Sequence, residues 1–388
     1  MHSKLTVFTS VTPSYEYSDE LQLCFRMLRS GIPAANWMVY QAEDMSCSLK
    51  EFVAQHLPVS GDVLFVREPA VWVASGVYQT LSMHLHADTN QLAILPSDVR
   101  GYHPACLANY FTLRGFEQFI MQMNRQQSQC IPYDNRKPWM FLTRAEYLVD
   151  RLLPEDPFDL PLTLPVREVS IALDAYIHPF FDYYSETRAD MVAFVPLGTN
   201  SLLDIGCSRG GFGSAVKAAL GCRVAGVEMN IHEAGAATEV LDQVWAGDVL
   251  TLDIQEKFDC ITCLDVLEHL AEPRCLLEKI RQLLNPGGTL LVSVPNIGHW
   301  SIVEDLLAGR WDYGPAGILC NTHLRFYTRH SLLQLLQENG FMPSRVEGQH
   351  VAPISGFQEV ISHYRNAGFM IDEESLSTLS HIVLSKKQ

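Results

Sequence analysis

The segment that most restricts how this chain can fold runs from Ser201 to Asn230, SLLDIGCSRGGFGSAVKAALGCRVAGVEMN. An apolar run of Leu202, Leu203 and Ile205, with Asp204 among them, enters a glycine-dense turn at Gly206, Gly210, Gly211 and Gly213. Helix-forming residues follow from Ser214 to Leu220, and a second apolar run, Arg223 to Val227, ends on Glu228. Strand, tight turn, helix and strand make a βαβ unit, which puts Glu228 at the carboxyl end of the second strand, beside the turn. Glycines there let a ligand approach the backbone, the helix N-terminus offers free N–H groups, and an acid roughly 20 residues on can accept hydrogen bonds from a ribose. The segment is expected to bind a nucleoside-bearing cofactor.

The same alternation continues downstream. A helix over Ile231 to Leu241, a short strand at Gln243 to Ala246 and the pair Gly247-Asp248 come first. A strand over Phe258 to Leu264 closes on Asp265, and a helix over Pro273 to Leu284 leads through the turn Asn285-Pro286-Gly287-Gly288 to a strand over Thr289 to Val294. Strands alternating with helices predict a parallel, doubly wound sheet. Beyond Pro295 the pattern loosens into an insertion over Asn296 to Arg325. A helix then starts at the N-cap Thr328 and runs to Gly340, and HIVLSKK reads as a last strand.

A chain of 388 residues is long for one core, so two domains are expected. From Lys4 to about Pro154, short apolar runs alternate with helical segments. LTVF, WMVY (Trp37 to Tyr40) and DVLFV (Asp62 to Val66) read as strands, Glu20 to Arg29 and Ser75 to His86 as helices. This first α/β domain, residues 1–155, resembles the type A nucleotide-sugar-binding fold of inverting glycosyltransferases, but carries no Asp-x-Asp. The run PEDPFDLPLTLPVREV has four prolines and reads as an extended connector over 156–170. The second domain is placed at 171–388, opening on a helix over Ile171 to Ala193.

Charge and cysteine usage exclude several functions. A formal net charge of −16 disfavours nucleic acid as a partner. Without an apolar stretch long enough for a membrane span or a signal peptide, the expected location is the cytoplasm. The ten cysteines are scattered and read as free thiols. No metal site is expected: Cys260 and Cys263 fall in a strand and point to opposite faces, and His84, His86 and Asp88 read as a solvated helix end.

From about Tyr184 to the C-terminus the chain resembles class I S-adenosylmethionine-dependent methyltransferases. The blocks are LDIGCSRGGFG, GVE, GDV, FDCITCLDVLEHL and LNPGGTLLVSVPN, and DVLEHL with HLRFYTRHSLLQLLQENGF is most similar to ubiquinone-type and polysaccharide-associated O-methyltransferases. The resemblance implies a Rossmann-like, seven-stranded doubly wound sheet and S-adenosylmethionine as cofactor. It implies that Asp204 and Gly206, with Cys207, Ser208 and Gly210 of the turn, meet the methionine end of the cofactor. Glu228 would hold the ribose, Met229 would line the adenine, and Asp248 would accept from its amine with Val249 alongside. Asp265 would stand where substrate and cofactor meet. Arg188 would pair with the cofactor carboxylate, with Tyr184 near it. Ser208 replaces the middle glycine of the motif, so an altered turn geometry is expected. A nicotinamide dehydrogenase fits poorly, because Cys207, Ser208 and Arg209 separate the first two glycines and the GDV and NPGG blocks have no role in it.

Methyl transfer to an alcohol needs a near-attack geometry and a base. The candidates are Asp265, His269, His299 and His323, with His299 the first choice and His269 also readable as a structural histidine. Trp300, Trp311, Tyr313, Arg325 and Tyr327 crowd the insertion over 296–327, which reads as a substrate lid. The expected activity is O-methylation of a glycosyl or secondary-metabolite acceptor. The alternatives are a bifunctional glycosyltransferase-methyltransferase, or an N- or carboxyl-methyltransferase whose first domain is a binding module or homodimer interface.

Overall fold

Two runs of alternating strands and helices build two separate sheets in the computed structural model, which describes residues 5–11, 18–32, 35–41, 46–98, 111–123, 129–149, 151–179, 187–351 and 356–388. The chain divides into Met1–Phe181 and Asp182–Gln388.

The first unit contains β1 (Leu5–Val11), α1 (Asp19–Gly31), β2 (Asn36–Gln41), α2 (Leu49–His56), β3 (Asp62–Val66), β4 (Val71–Val73), α3 (Val77–Ala87), β5 (Ala93–Ser97) and α4 (Leu113–Met123). They are followed by β6 (Cys130–Pro132), β7 (Met140–Arg144), α5 (Ala145–Leu148), α6 (Leu160–Thr163) and β8 (Val169–Pro179). The sheet order is β2-β1-β3-β7-β5-β8-β4, with β6 on β8. β1 runs parallel to β2 and β3, and β7 lies antiparallel between β3 and β5. The strands and helices expected from the early apolar runs are all present.

Two expectations are corrected here. The proline-rich run is not an extended connector. Pro157 and Pro161 stand at the starts of short helical turns, where a missing N–H costs nothing. Leu153, Phe158, Leu160 and Leu164 are buried in one cluster with Phe65 and Phe141. Arg67 fixes the run further, donating to Asp156 at 2.6 Å and to Asp159. The segment expected as a helix after it begins as strand β8, whose Val169, Ile171 and Ile177 are β-branched and buried against β5, β6 and β4. The division therefore falls after β8 and not within the prolines.

The second unit contains β9 (Ser201–Ile205), α7 (Gly211–Leu220), β10 (Arg223–Glu228), α8 (Ile231–Ala237), β11 (Gln243–Ala246), β12 (Phe258–Leu264), α9 (Pro273–Leu283) and β13 (Leu284–Pro295). After these come α10 (Trp300–Leu307), α11 (Arg329–Glu338), β14 (Phe341–His350), α12 (Phe357–Asn366), α13 (Glu373–Ser377) and β15 (Thr378–Lys387). Its seven strands are ordered β11-β10-β9-β12-β13-β15-β14. The first five are parallel, and β15 is antiparallel to both β13 and β14. Leu203, Ile205, Val227, Ile261, Val292 and Val294 feed a core that α9 and α11 cover with Leu276, Ile280, Leu332 and Leu336. Met191, Leu202, Val216, Val224 and Leu291 pack in a second cluster. Near-continuous burial along β9, β10 and β12 is what a central parallel sheet covered on both faces requires. The residues expected as a turn at Asn285 to Gly288 lie within β13, where the register against β12 shifts and Gly287 takes a positive φ of 74°.

One close approach holds the βαβ unit together. A Cβ on Gly226 would stand 2.5 Å from Cys207 Sγ and 2.8 Å from Leu241 Cδ1, so β10 can lie against the turn only because residue 226 has no side chain. Gly226→Ala is expected to lower stability in urea titrations by about 1–3 kcal/mol through overpacking. Adding Cys207→Ala should recover part of that loss, a coupling of at least about 0.5 kcal/mol between the two sites.

Candidate active site

At the carboxyl end of β9 the chain passes through Gly206, Ser208 and Gly210 at φ values of 76°, 50° and 80°. Ser208 thus holds the left-handed conformation that a glycine would adopt freely, at a cost of about 1 kcal/mol. Its N–H donates to Glu228 Oε2 at 2.8 Å, while Asn230 N–H donates to Oε1 at 2.9 Å. Each carboxylate oxygen has a second acceptor site, so Glu228 is fixed in orientation at the end of β10 and can still accept from a diol. Burial raises its pKa, partly offset by these backbone donors. Next to it, Arg209 donates to the buried Glu233 at 2.6 Å, a pair that the sequence reading missed. Its only signal was an acid in the first turn of α8.

Beneath the turn, Asp204 is 3% exposed and accepts from Thr262 Oγ1 at 2.6 Å. Burial pushes its pKa up to about 7, the Thr262 hydrogen bond opposing. Cys207 lies under the turn as packing. Its thiol is buried, and its pKa is raised by that burial. Gly206 and Cys207 donate their N–H groups to the Val227 carbonyl at 2.8 and 3.1 Å, which ties the turn to β10.

The other expected nucleoside contacts flank this turn. Met229 follows Glu228 and is 66% exposed. Asp248 is half-buried after β11, where Oδ1 accepts from Leu250 N–H at 2.9 Å and Val249 is buried. Gly247 N–H donates to the Glu228 carbonyl at 2.8 Å, so the three strand ends β9, β10 and β11 meet in one place. Tyr184 lies outside the described residues.

A second set of groups gathers at the end of β12. Asp265 has φ 54°, its Oδ1 accepts from Ser293 Oγ at 2.8 Å, and its carboxylate is ion-paired with Arg188. Arg188, expected to meet the cofactor carboxylate, is thus engaged with Asp265. The next turn carries Glu268, buried with its pKa raised well above the usual range by burial and by Asp265, and the half-buried His269. His323 reaches the same place from the 296–327 insertion, its ring edge-to-face on His269 with centroids 4.7 Å apart.

His299 does not join them. It is 0% exposed and caps α10, with Nδ1 2.9 Å from Ser301 Oγ. Burial lowers its pKa to about 4. Asn296 closes the neck of the insertion: its Nδ2 donates to the Ser375 and Thr378 carbonyls at 2.7 and 2.8 Å, and it bridges to Tyr327. Of the expected lid aromatics, Trp300 and Tyr327 are buried, Trp311 and Tyr313 are exposed, and Arg325 donates to the Ala271 carbonyl at 3.0 Å.

His299 titrates at a lower pH in the folded than in the unfolded chain, so the unfolded chain takes the proton first. Stability is then full above about 6.5 and falls by up to roughly 3 kcal/mol towards pH 4. His299→Asn keeps a good cap and is expected to flatten that loss in thermal melts between these pH values. Its turnover should stay within about threefold of the parent, where loss of a base costs 10²–10⁴-fold. Asp204 has the opposite sign. Its folded pKa is raised, so its cost to stability grows from pH 3.8 to about 7. Asp204→Asn should raise the thermal midpoint at pH 8 by the equivalent of a few kcal/mol.

The second part of the chain is similar to known proteins. The profile of a methyltransferase domain matches residues 170–343. A ubiquinone biosynthesis O-methyltransferase of Aeromonas salmonicida is 26% identical over 162 residues, 40% of this chain and 68% of that protein. Another, from Cereibacter sphaeroides, is 30% identical over 194 residues, 45% of this chain and 75% of its own length. Among solved structures, a SAM-dependent methyltransferase from Archaeoglobus fulgidus aligns over 52% of this chain and 92% of its own at 18% identity and a TM-score of 0.39. With the Cereibacter sphaeroides protein 30% identical and covered over 75% of its length, the chain belongs to the S-adenosylmethionine-dependent methyltransferases.

Proposed function

We propose that the protein methylates a hydroxyl of a small glycosyl or secondary-metabolite acceptor. The observation that carries this reading is the oriented Glu228 carboxylate at the glycine turn, with the Asp265 pole on the neighbouring strand end. Similarity to proteins named ubiquinone biosynthesis O-methyltransferases supports oxygen as the acceptor atom. When bound, S-adenosylmethionine supplies a methyl group on a positive sulfur, open to in-line displacement.

The residues then divide the work. Glu228 accepts the ribose hydroxyls, Asp248 and Val249 receive the adenine, and Asp204 supports the turn from below. Arg188 positions Asp265, which faces the acceptor. The acceptor proton leaves towards the Asp265, His269 and His323 pole, since His299 is buried as a helix cap. Trp311 and Tyr313, exposed and 6.5 Å apart edge-to-face, suit a ring-bearing acceptor. The first unit, with its own sheet and core, serves acceptor recognition or dimerisation.

Glu228→Ala is expected to weaken S-adenosylmethionine binding about 10- to 100-fold in calorimetry, the range for loss of a charged hydrogen-bond acceptor, with the circular dichroism spectrum unchanged. Unaltered affinity would refute the cofactor site. Transfer of labelled methyl to a panel of glycosides and phenols should yield alkali-stable ethers. Label recovered on nitrogen, or as labile esters, would refute the O-methyl reading.

A further inference from the structure

Glu268 is the least explained residue in the second unit. It is 1% exposed, and neither carboxylate oxygen has a hydrogen-bond partner among the described residues. A buried carboxyl with no donor is uncommon and calls for an explanation, an ion among them. Its ligand-capable oxygen lies within 4.8 Å of a nitrogen of His269 and a nitrogen of His323, and those nitrogens are within the same distance of each other. We propose that Glu268, His269 and His323 form a divalent-cation site, one that takes a first-row ion such as Zn²⁺ in preference to Mg²⁺ or Ca²⁺.

The surrounding structure is built for this. Glu268 and His269 are consecutive on the short turn Leu267–His269 that follows β12. The third member arrives from the insertion, and backbone hydrogen bonds put it in place: Leu324 N–H and Arg325 N–H both donate to the Glu268 carbonyl, at 2.7 and 3.0 Å. His323 Nδ1 lies 2.9 Å from the Ile318 carbonyl. A carbonyl can only accept, so Nδ1 carries the hydrogen and Nε2 of the neutral ring presents its lone pair. A ligating histidine is usually anchored in this way, by an outer hydrogen bond that sets both tautomer and ring direction.

The donor set decides the ion. Two imidazoles with one carboxylate suit zinc, iron or cobalt, whereas Mg²⁺ and Ca²⁺ favour all-oxygen shells. Bonds of about 2.0–2.2 Å require the three ligand atoms to draw in from their present spacing, a side-chain adjustment. Three protein ligands leave a coordination position open, the arrangement of catalytic zinc sites. With His269 and His323 ligating, Asp265 is the member of the pole left to take the acceptor proton under the proposed function. The cation site itself does not depend on that reading, because it can be measured with metal alone.

The untagged full chain, stripped with chelator and dialysed, should bind one equivalent of Zn²⁺ in calorimetry, and Co²⁺ should give the visible d–d bands of a nitrogen- and oxygen-ligated site. Glu268→Gln and His323→Gln should each weaken Zn²⁺ binding at least about 100-fold and abolish the Co²⁺ bands. Both variants should keep S-adenosylmethionine affinity within threefold of the parent, which shows that the second unit is folded. Zinc should raise the thermal midpoint of the parent and not of the variants. The proposal is overturned if the stripped parent binds no Zn²⁺, if the variants bind it as the parent does, or if Mg²⁺ competes at equal concentration.

Discussion

Contact between the glycine turn and β10 is the constraint on which the second unit depends. Gly226 gives up its side chain so that Cys207 can lie against the strand, and the Gly206 and Cys207 amides donate to the Val227 carbonyl. Once that approach is made, the Ser208 N–H faces Glu228, and the acid at the end of β10 is held by the backbone of the element it must cooperate with. A packing requirement and a binding requirement are thus met by the same few atoms. This explains why Ser208 can replace a glycine. The hydrogen bond from its N–H to Glu228 is made in the left-handed conformation, and that bond offsets part of the cost of adopting it.

The site also concentrates groups that burden the fold. Asp204 and Glu268 are nearly inaccessible carboxyls whose burial raises their pKa, and Glu228 is raised in the same sense. Such groups are retained where a ligand of opposite charge relieves them. Their distribution follows the chemistry: Asp204 and Glu228 border the turn, while Glu268 stands apart at the end of β12. The buried histidines His299 and His381 shift the other way, both lowered to about 4 chiefly by burial. They are carried as neutral polar groups within the core.

Much of the second unit was legible because its information is local. Strand, turn, helix and acid follow one another within Ser201 to Asn230, so periodicity and glycine spacing suffice to place Glu228 beside the turn. The same holds for Asp248 and Asp265, each at the end of an apolar run. What was not legible depended on contacts distant in sequence. The apolar spacing from Ile171 onward fits a helix when read alone, and only pairing with β4, β5 and β6 makes Val169–Pro179 a strand. Four prolines suggested an extended linker, yet Phe158 packs edge-on against Phe65 at 5.9 Å and the run folds onto the first core. His299 looked like a base because it lies in an irregular region after a strand. Its role as a cap is set by where α10 starts.

The least local feature is the meeting of Glu268, His269 and His323. No spacing rule joins residue 323 to residue 268, because the 296–327 insertion lies between β13 and α11 and its path is set at its neck. Asn296 anchors the outgoing strand to the segment before β15, its bridge to Tyr327 brings the returning chain alongside, and Tyr327 in turn reaches the Leu267 carbonyl at 3.5 Å. With both ends fixed, the residues just before Tyr327 run past the turn after β12 and hydrogen-bond to the Glu268 carbonyl. His323 is therefore delivered by backbone geometry before any side-chain interaction is counted. Glu228 is placed by a single βαβ unit, whereas the meeting of Glu268, His269 and His323 depends on a loop whose neck is closed by Asn296.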